Sequence, residues 1–205
     1  MNKKSNFLYV PIFLTLIIPV PGRFVFGFVL FLELLFLTLV GTFINSLINK
    51  LNFDNMRSAV ILIGVIAATI LFRQIFVIIC PEIALTLGFI MYLPPVSLFL
   101  IGILFNDTAA PLLERLKHNM GIIFIFSFSG LLFFLIRDLL GYGTFTFIGK
   151  NHQIFEKVLF ASDNFAVCSF LASIPGALIF ASILFSIAVL IRKKLHIVKN
   201  AETNK

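Results

Sequence analysis

The chain has 205 residues, of which 60% are apolar and only 12% charged, and it carries a formal net charge of +7. Soluble domains average roughly 45–50% apolar and about 25% charged, so a water-soluble globule and a disordered chain are both excluded. Two cysteines are too few for a disulfide scaffold. The basic residues sit at the ends of apolar runs, not along one face, which is the distribution of topology-setting charge in a membrane protein and not of nucleic-acid binding.

Six apolar stretches follow in chain order: Phe7–Val20, Phe24–Leu47, Ser58–Cys80, Ile83–Phe105, Met120–Ile136 and Phe165–Ile191. A spanning helix needs about 20 apolar residues, with a range of roughly 17–25. The second, third and fourth stretches fit, and the fifth fits at the short end. The first is short. Lys3 and Lys4 precede it as in a signal peptide, but no small-x-small cleavage site follows, so it reads as a retained membrane segment. The last is long and is divided by Pro175-Gly176. A helix starting near Pro175 leaves the stretch before it as a separate approach segment. The expected fold is an all-α polytopic membrane protein, a single domain over residues 1–205 with about six spans and the lipid bilayer as its solvent.

Eleven Lys and Arg fall on one side of that arrangement and four on the other, which places both termini in the cytoplasm. The longest loop spans residues 137–164. Gly141-Tyr142-Gly143 marks a turn in it. Asn151–Phe160 has apolar residues at helical spacing, which predicts a short helix lying on the membrane surface or packed as a loop helix.

The six segments split into two groups of three, repeat one at about 7–80 and repeat two at about 83–192, followed by a basic tail at 193–205. Prolines interrupt the first segment of each group: Pro11, Pro19 and Pro21 in one, Pro94 and Pro95 in the other. Broken segments at matching positions point to inverted repeats with a site at the breaks. Two unrelated proline kinks would leave the same pattern.

Glu33 lies in the middle of the second segment and Arg73 well inside the third. A charge at the bilayer centre costs roughly 2.5–3.5 kcal/mol on insertion scales and normally has a partner. Both residues lie roughly 22–24 Å from the loop that joins their segments, so antiparallel neighbours would hold them at one level. The expectation is a buried Glu33–Arg73 pair, either a structural clasp or part of an ion or proton path. Arg137-Asp138 closes the fifth segment at the outer surface.

From Ile136 to Phe145 the sequence reads Ile-Arg-Asp-Leu-Leu-Gly-Tyr-Gly-Thr-Phe. This stretch resembles the Arg-Glu-x-x-Gly-x-Gly-Thr-like motif of the six-helix membrane subunits of Rnf and Nqr ion-translocating oxidoreductases (the RnfA, RnfE, NqrD and NqrE group). Ile174-Pro175-Gly176-Ala177-Leu178 is similar to the motif that opens that family's sixth helix. The stretch from Arg57 through Pro81 and Leu87-Gly88 to Gly102 also resembles it. The likeness runs from about residue 28 to 194, with Arg137, Asp138, Gly141, Gly143, Pro175 and Gly176 as its motif residues. It implies two inverted three-helix repeats, a sister six-helix subunit and further membrane redox subunits as partners, and a bacterial inner-membrane location.

The resemblance also implies an intramembrane 2Fe–2S cluster held by cysteines at the helix breaks. This sequence departs from that. Leu98 stands at the matching position of the fourth segment, and no Cys precedes Cys80. Such a cluster needs thiolate ligands, so no cofactor is expected. The position of Arg73 is acidic in the family. Cys80 and Cys168 lie near the outer face, away from the breaks, and His118, His152 and His196 have no ligand spacing. No catalytic constellation stands out. The expected function is a non-redox scaffold or ion-path subunit of an ion-translocating complex, and the alternative is a small-solute transporter or substrate-binding membrane component.

Overall fold

A computed structural model describes residues 18–51, 56–105, 111–149, 153–159 and 169–203. The chain is mostly helical. Helix α1 is Phe24–Leu51 and α2 is Arg57–Ile79. A broken segment follows, made of α3 (Pro81–Leu87), a 3-10 turn (Gly88–Tyr92), α4 (Leu93–Val96) and α5 (Leu98–Phe105). Helix α6 is Leu112–Gly141, strands β1 and β2 are Thr144–Ile148 and Ile154–Val158, and a 3-10 turn (Ser169–Ala172) leads into α7 (Ile174–Thr203).

Helices α1, α2 and α6 are long and apolar enough to cross a membrane. At 1.5 Å per residue α1 is about 42 Å long, more than the roughly 30 Å of a hydrocarbon core. Pro81–Val96 and Ile174–Ile187 are apolar but shorter. The first predicted segment lies mostly outside the described residues. Its end, residues 18–23, is a turn and not a helix, so Pro19 and Pro21 precede α1 in an irregular stretch.

Much of the helix surface is apolar and uncovered. Ile78, Leu85, Phe89 and Ile125 are each more than 70% exposed. Isolated exposed apolar residues are ordinary, but a continuous apolar belt matches lipid as the surrounding medium.

Helix α1 packs against both α2 and α6 and runs antiparallel to each, since Phe36 meets Phe72 and Ile44 meets Gly64, while Gly27 meets Phe134 and Thr42 meets Asn119. Glycines let it approach its neighbours. A Cβ on Gly27 would enter the Phe134 ring of α6, and one on Gly41 would meet the Leu104 side chain of α5 at 2.6 Å. On α2, Gly64 faces Ile44 in the same way. Small residues at such crossings substitute close packing for the hydrophobic drive that lipid does not supply. Gly27→Ala should therefore destabilise the bundle by about 1–3 kcal/mol, because Phe134 is buried and cannot swing aside. A lowered unfolding temperature in detergent would show it, and an unchanged one would mean that the α1–α6 contact is loose.

The fourth segment is broken where its prolines predicted. Ser97 is extended, at φ −70° and ψ 136°, directly after Pro94-Pro95, and its hydroxyl donates to the Pro94 carbonyl at 2.6 Å. Helix α6 starts eight residues earlier than its apolar stretch, so Arg115 and Lys117 are helical and not in a loop.

The loop after α6 differs from the sequence expectation. Residues 154–158 form a strand, not a surface helix, and pair antiparallel with β1 in the register Thr144↔Val158 to Ile148↔Ile154. Ile154, Phe155 and Val158 fit a helical stripe and a strand equally well. The neighbouring Thr-Phe-Thr-Phe-Ile run offers a partner for their backbone groups, and β2 stays largely exposed. The turn at Gly141-Tyr142-Gly143 is as expected. Gly143 has φ 67°, and its N–H donates to the Leu139 carbonyl, an αL helix end.

Candidate functional site

Three places concentrate buried polar chemistry. The first is a joint at the hairpin end of the bundle, built by Arg137 and Asp138. Both are fully buried. Arg137 donates to three backbone carbonyls: Val20 through Nη1 at 3.0 Å, Leu171 through Nε at 3.3 Å and Ala172 through Nη2 at 3.1 Å. Its guanidinium also lies 5.6 Å from the Phe133 ring centroid. One side chain thus ties the turn before α1 to the turn before α7.

Asp138 faces the other way. Its Oδ2 accepts from the Phe24 N–H at 3.0 Å, the Thr146 N–H at 2.9 Å and the Thr146 hydroxyl at 2.7 Å, and its Oδ1 accepts from the Thr144 hydroxyl at 2.9 Å. Phe24 opens α1, so its N–H has no partner inside the helix. A carboxylate from 114 positions away caps it and favours the positive end of the helix dipole. The alternation of β1 sends Thr144 and Thr146 inward to Asp138, while Phe145 stacks on Phe24 at 5.1 Å.

The remaining motif residues serve the same joint. A Cβ on Gly141 would meet the Ala172 backbone nitrogen at 2.9 Å, and one on Gly176 would collide with the Phe170 carbonyl. Pro175 lies in the first turn of α7. Ser173, not singled out from the sequence, caps that helix by accepting from the Gly176 N–H at 3.2 Å. A serine just before Ile-Pro-Gly was the signal. Thr144 and Thr146 gave none, since their role depends on the hairpin.

The second place is Glu33. It is fully buried in α1, about 14 Å along the helix from Phe24 and about 27 Å from Leu51. Among the described residues neither carboxylate oxygen has a hydrogen-bond partner. The expected Glu33–Arg73 pair is not formed. Glu33 and Arg73 lie at similar depth, since Phe36 meets Phe72 at 5.7 Å and Gly64 faces Ile44. The direction differs. Residues Ile61, Val65, Ala68, Phe72 and Phe76 form the packed face of α2. Arg73 follows Phe72 by about 100° of rotation, which turns it onto the flank.

The broken segment reaches α1 at this depth. Leu30, Phe31 and Leu34 of α1, Ile90 and Pro94 of the broken segment, and Ser127 of α6 line a cavity of about 20 Å³. That is room for about one water. The Ser127 hydroxyl is buried there with no hydrogen-bond partner among the described residues. Closer to the opposite end lies a further polar patch. Asn119 donates to Thr42 at 3.3 Å, Asn45 donates to the Leu104 carbonyl at 2.7 Å, and Arg115 is 5% exposed.

The residues at the break do not fit an iron–sulfur cluster. Pro94, Pro95 and Ser97 supply no thiolate. Cys80 is buried at the joint between α2 and α3, at the hairpin end. Cys168 lies outside the described residues. Among those residues no three His, Cys, Asp or Glu side chains converge on a metal site.

Comparison with protein-family models, with curated proteins and with solved structures finds no match.

Proposed function

We propose that the chain is a polytopic membrane subunit that carries an ion path, with Glu33 as its ionisable station. The observation that carries this reading is a carboxyl buried in the middle of a long apolar helix without a hydrogen-bond partner among the described residues, at the depth where the neighbouring segment is broken by Pro94-Pro95. A structural clasp would hold its charge paired. An intramembrane acid without a clasp marks a pathway or a binding station. Breaks at membrane depth are tolerated where they line a cavity or are buried in protein.

The wider organisation in this proposal is six spans in two inverted groups, with both termini in the cytoplasm of a bacterial inner membrane. The structure's two ends support that orientation. Lys50, Arg57, Arg115 and Lys117 gather at the end opposite the hairpin, and α7 carries the basic tail in the same direction. The resemblance to Rnf and Nqr membrane subunits supports a path that works within a multi-subunit complex, without a cluster in this chain. The solute-carrier alternative would use the larger pocket of about 250 Å³ lined by Ile61, Leu62 and Ile101, since the cavity at the break has room for about one water.

Purification of a tagged copy in a gentle detergent at native expression level tests the assembly. Recovery with flavin- or iron–sulfur-bearing subunits, or with a sister six-helix protein, is expected. Recovery alone or with an ATPase module would overturn the complex and favour the solute carrier.

A further inference from the structure

We infer that the outward flank of α2 around Arg73 is an intramembrane interface, and that its occupant is a helix of a different chain carrying an Asp or Glu at the depth of Arg73. This rests on the reading of the chain as a subunit of a membrane assembly, and not on the role of Glu33.

Arg73 lies about 9 Å from the Ile79 end of α2 and about 24 Å from the Arg57 end. It is half-buried on the flank, and its Nε is buried with no hydrogen-bond partner among the described residues. The next residue, Gln74, is exposed. A guanidinium facing lipid inside a spanning helix is costly, and it is normally balanced by an acid. Reaching for the nearer surface does not relieve it. The Cα–Cβ bond of a helical residue leans toward the helix N-terminus, which is the Arg57 end, so the side chain sets out toward the farther surface.

The residues around Arg73 form a seam. Ile63, Ile66, Ile70, Arg73 and Val77 recur at alternating spacings of three and four, which is the spacing of a helix–helix contact. Ile63, Ile70 and Val77 are exposed, and the packed face of α2 is on another side. Apolar residues alone would suit lipid. The charge within the stripe does not, and one polar residue in such a seam fixes register and partner.

This chain does not supply the acid itself. It has nine acidic residues. Of these, Glu33 alone lies in a long apolar helix away from its ends, and it is fully buried in α1. Glu82 is in the first turn of α3 and accepts from the Ile154 N–H at 3.1 Å, and Asp138 is committed to the hairpin joint. The first apolar stretch, Phe7–Val20, contains no charged residue. A second copy has the same shortage, and a symmetric pair would set one Arg73 against the other. A different chain is left as the source.

The test is site-specific photocrosslinking in native membranes holding the full chain. A diazirine amino acid takes the place of Ile70 or Val77 on the seam, or of exposed Ile125 on α6 as the control face, and mass spectrometry maps each adduct. The seam positions should join an apolar segment of another polypeptide, with an Asp or Glu within about one helical turn of the joined residue. The control position should not reach that segment. Mapping is done with Arg73 in place, so it stands whether or not a variant accumulates. Arg73→Leu should lower the yield at least about threefold, and Arg73→Glu combined with an Arg in place of the partner's acid should restore it. Adducts within the chain, to a second copy, to lipid alone or to a segment without an acid would overturn the proposal, as would an unchanged yield from Arg73→Leu. Co-purifying subunits with no adduct from the seam would remove this interface and leave the assembly standing.

Discussion

Replacing Arg137 with Met is expected to prevent accumulation of folded protein in the membrane. The methionine would fill part of the volume, but the buried Val20 carbonyl and the partly buried Leu171 and Ala172 carbonyls would lose their donor together. A buried polar group left unsatisfied costs about 1–3 kcal/mol and a partly wetted one less, so the sum takes a large share of a typical stability of roughly 5–15 kcal/mol. The loss is also topological. Arg137 joins the turn before α1 to the turn before α7, segments about 150 residues apart in a chain of 205. Arg137→Lys should be intermediate, since an ammonium keeps the charge but lacks the planar fork that reaches three directions. Size-exclusion profiles and unfolding temperatures of tagged variants in detergent would rank the three. Wild-type stability for Arg137→Met would mean that the joint is not structural.

Asp138→Ala is expected to be nearly as damaging, while Asp138→Asn should be mild. Alanine would strand the Phe24 and Thr146 N–H groups and two threonine hydroxyls. Asparagine can put its carbonyl oxygen where Oδ2 now accepts three bonds. Its amide would then face Thr144, whose hydroxyl can turn from donor to acceptor. What remains lost is the negative charge at the start of α1, worth about 0.3–1 kcal/mol. A large gap between the two variants in unfolding temperature is the expected result. Equal damage would show that the charge, and not the hydrogen-bond geometry, holds the hairpin.

Parts of this structure were legible in the sequence and parts were not, for physical reasons. Apolar runs and prolines act locally, so α1, α2, the Pro94-Pro95 break and the start of α7 near Pro175 could be placed from residue types alone. Depth along a helix is also local, which is why Glu33 and Arg73 were put at matching levels. Rotation is not. Only the packed face of α2 decides that Arg73 points along the flank, and that face depends on which neighbours α2 meets. Residues 154–158 show the same limit: their apolar spacing suits two structures, and the adjacent strand selects one. Arg137 and Asp138 read as a charged helix end at an interface, because their seven hydrogen bonds go to six residues that lie up to 117 positions away. The glycines of the same motif have meaning only once Ala172 and Phe170 are beside them.

The central claim concerns Glu33, and ion flux through the reconstituted protein tests it most directly. The full chain, with whatever subunits accompany it from the membrane, would be placed in liposomes holding a pH-sensitive dye and an imposed potential. The wild-type protein should pass ions, and Glu33→Gln should reduce the flux at least about tenfold while extracting and migrating as the wild type does. Equal flux from the two would contradict the account, because the path would then bypass the buried carboxyl.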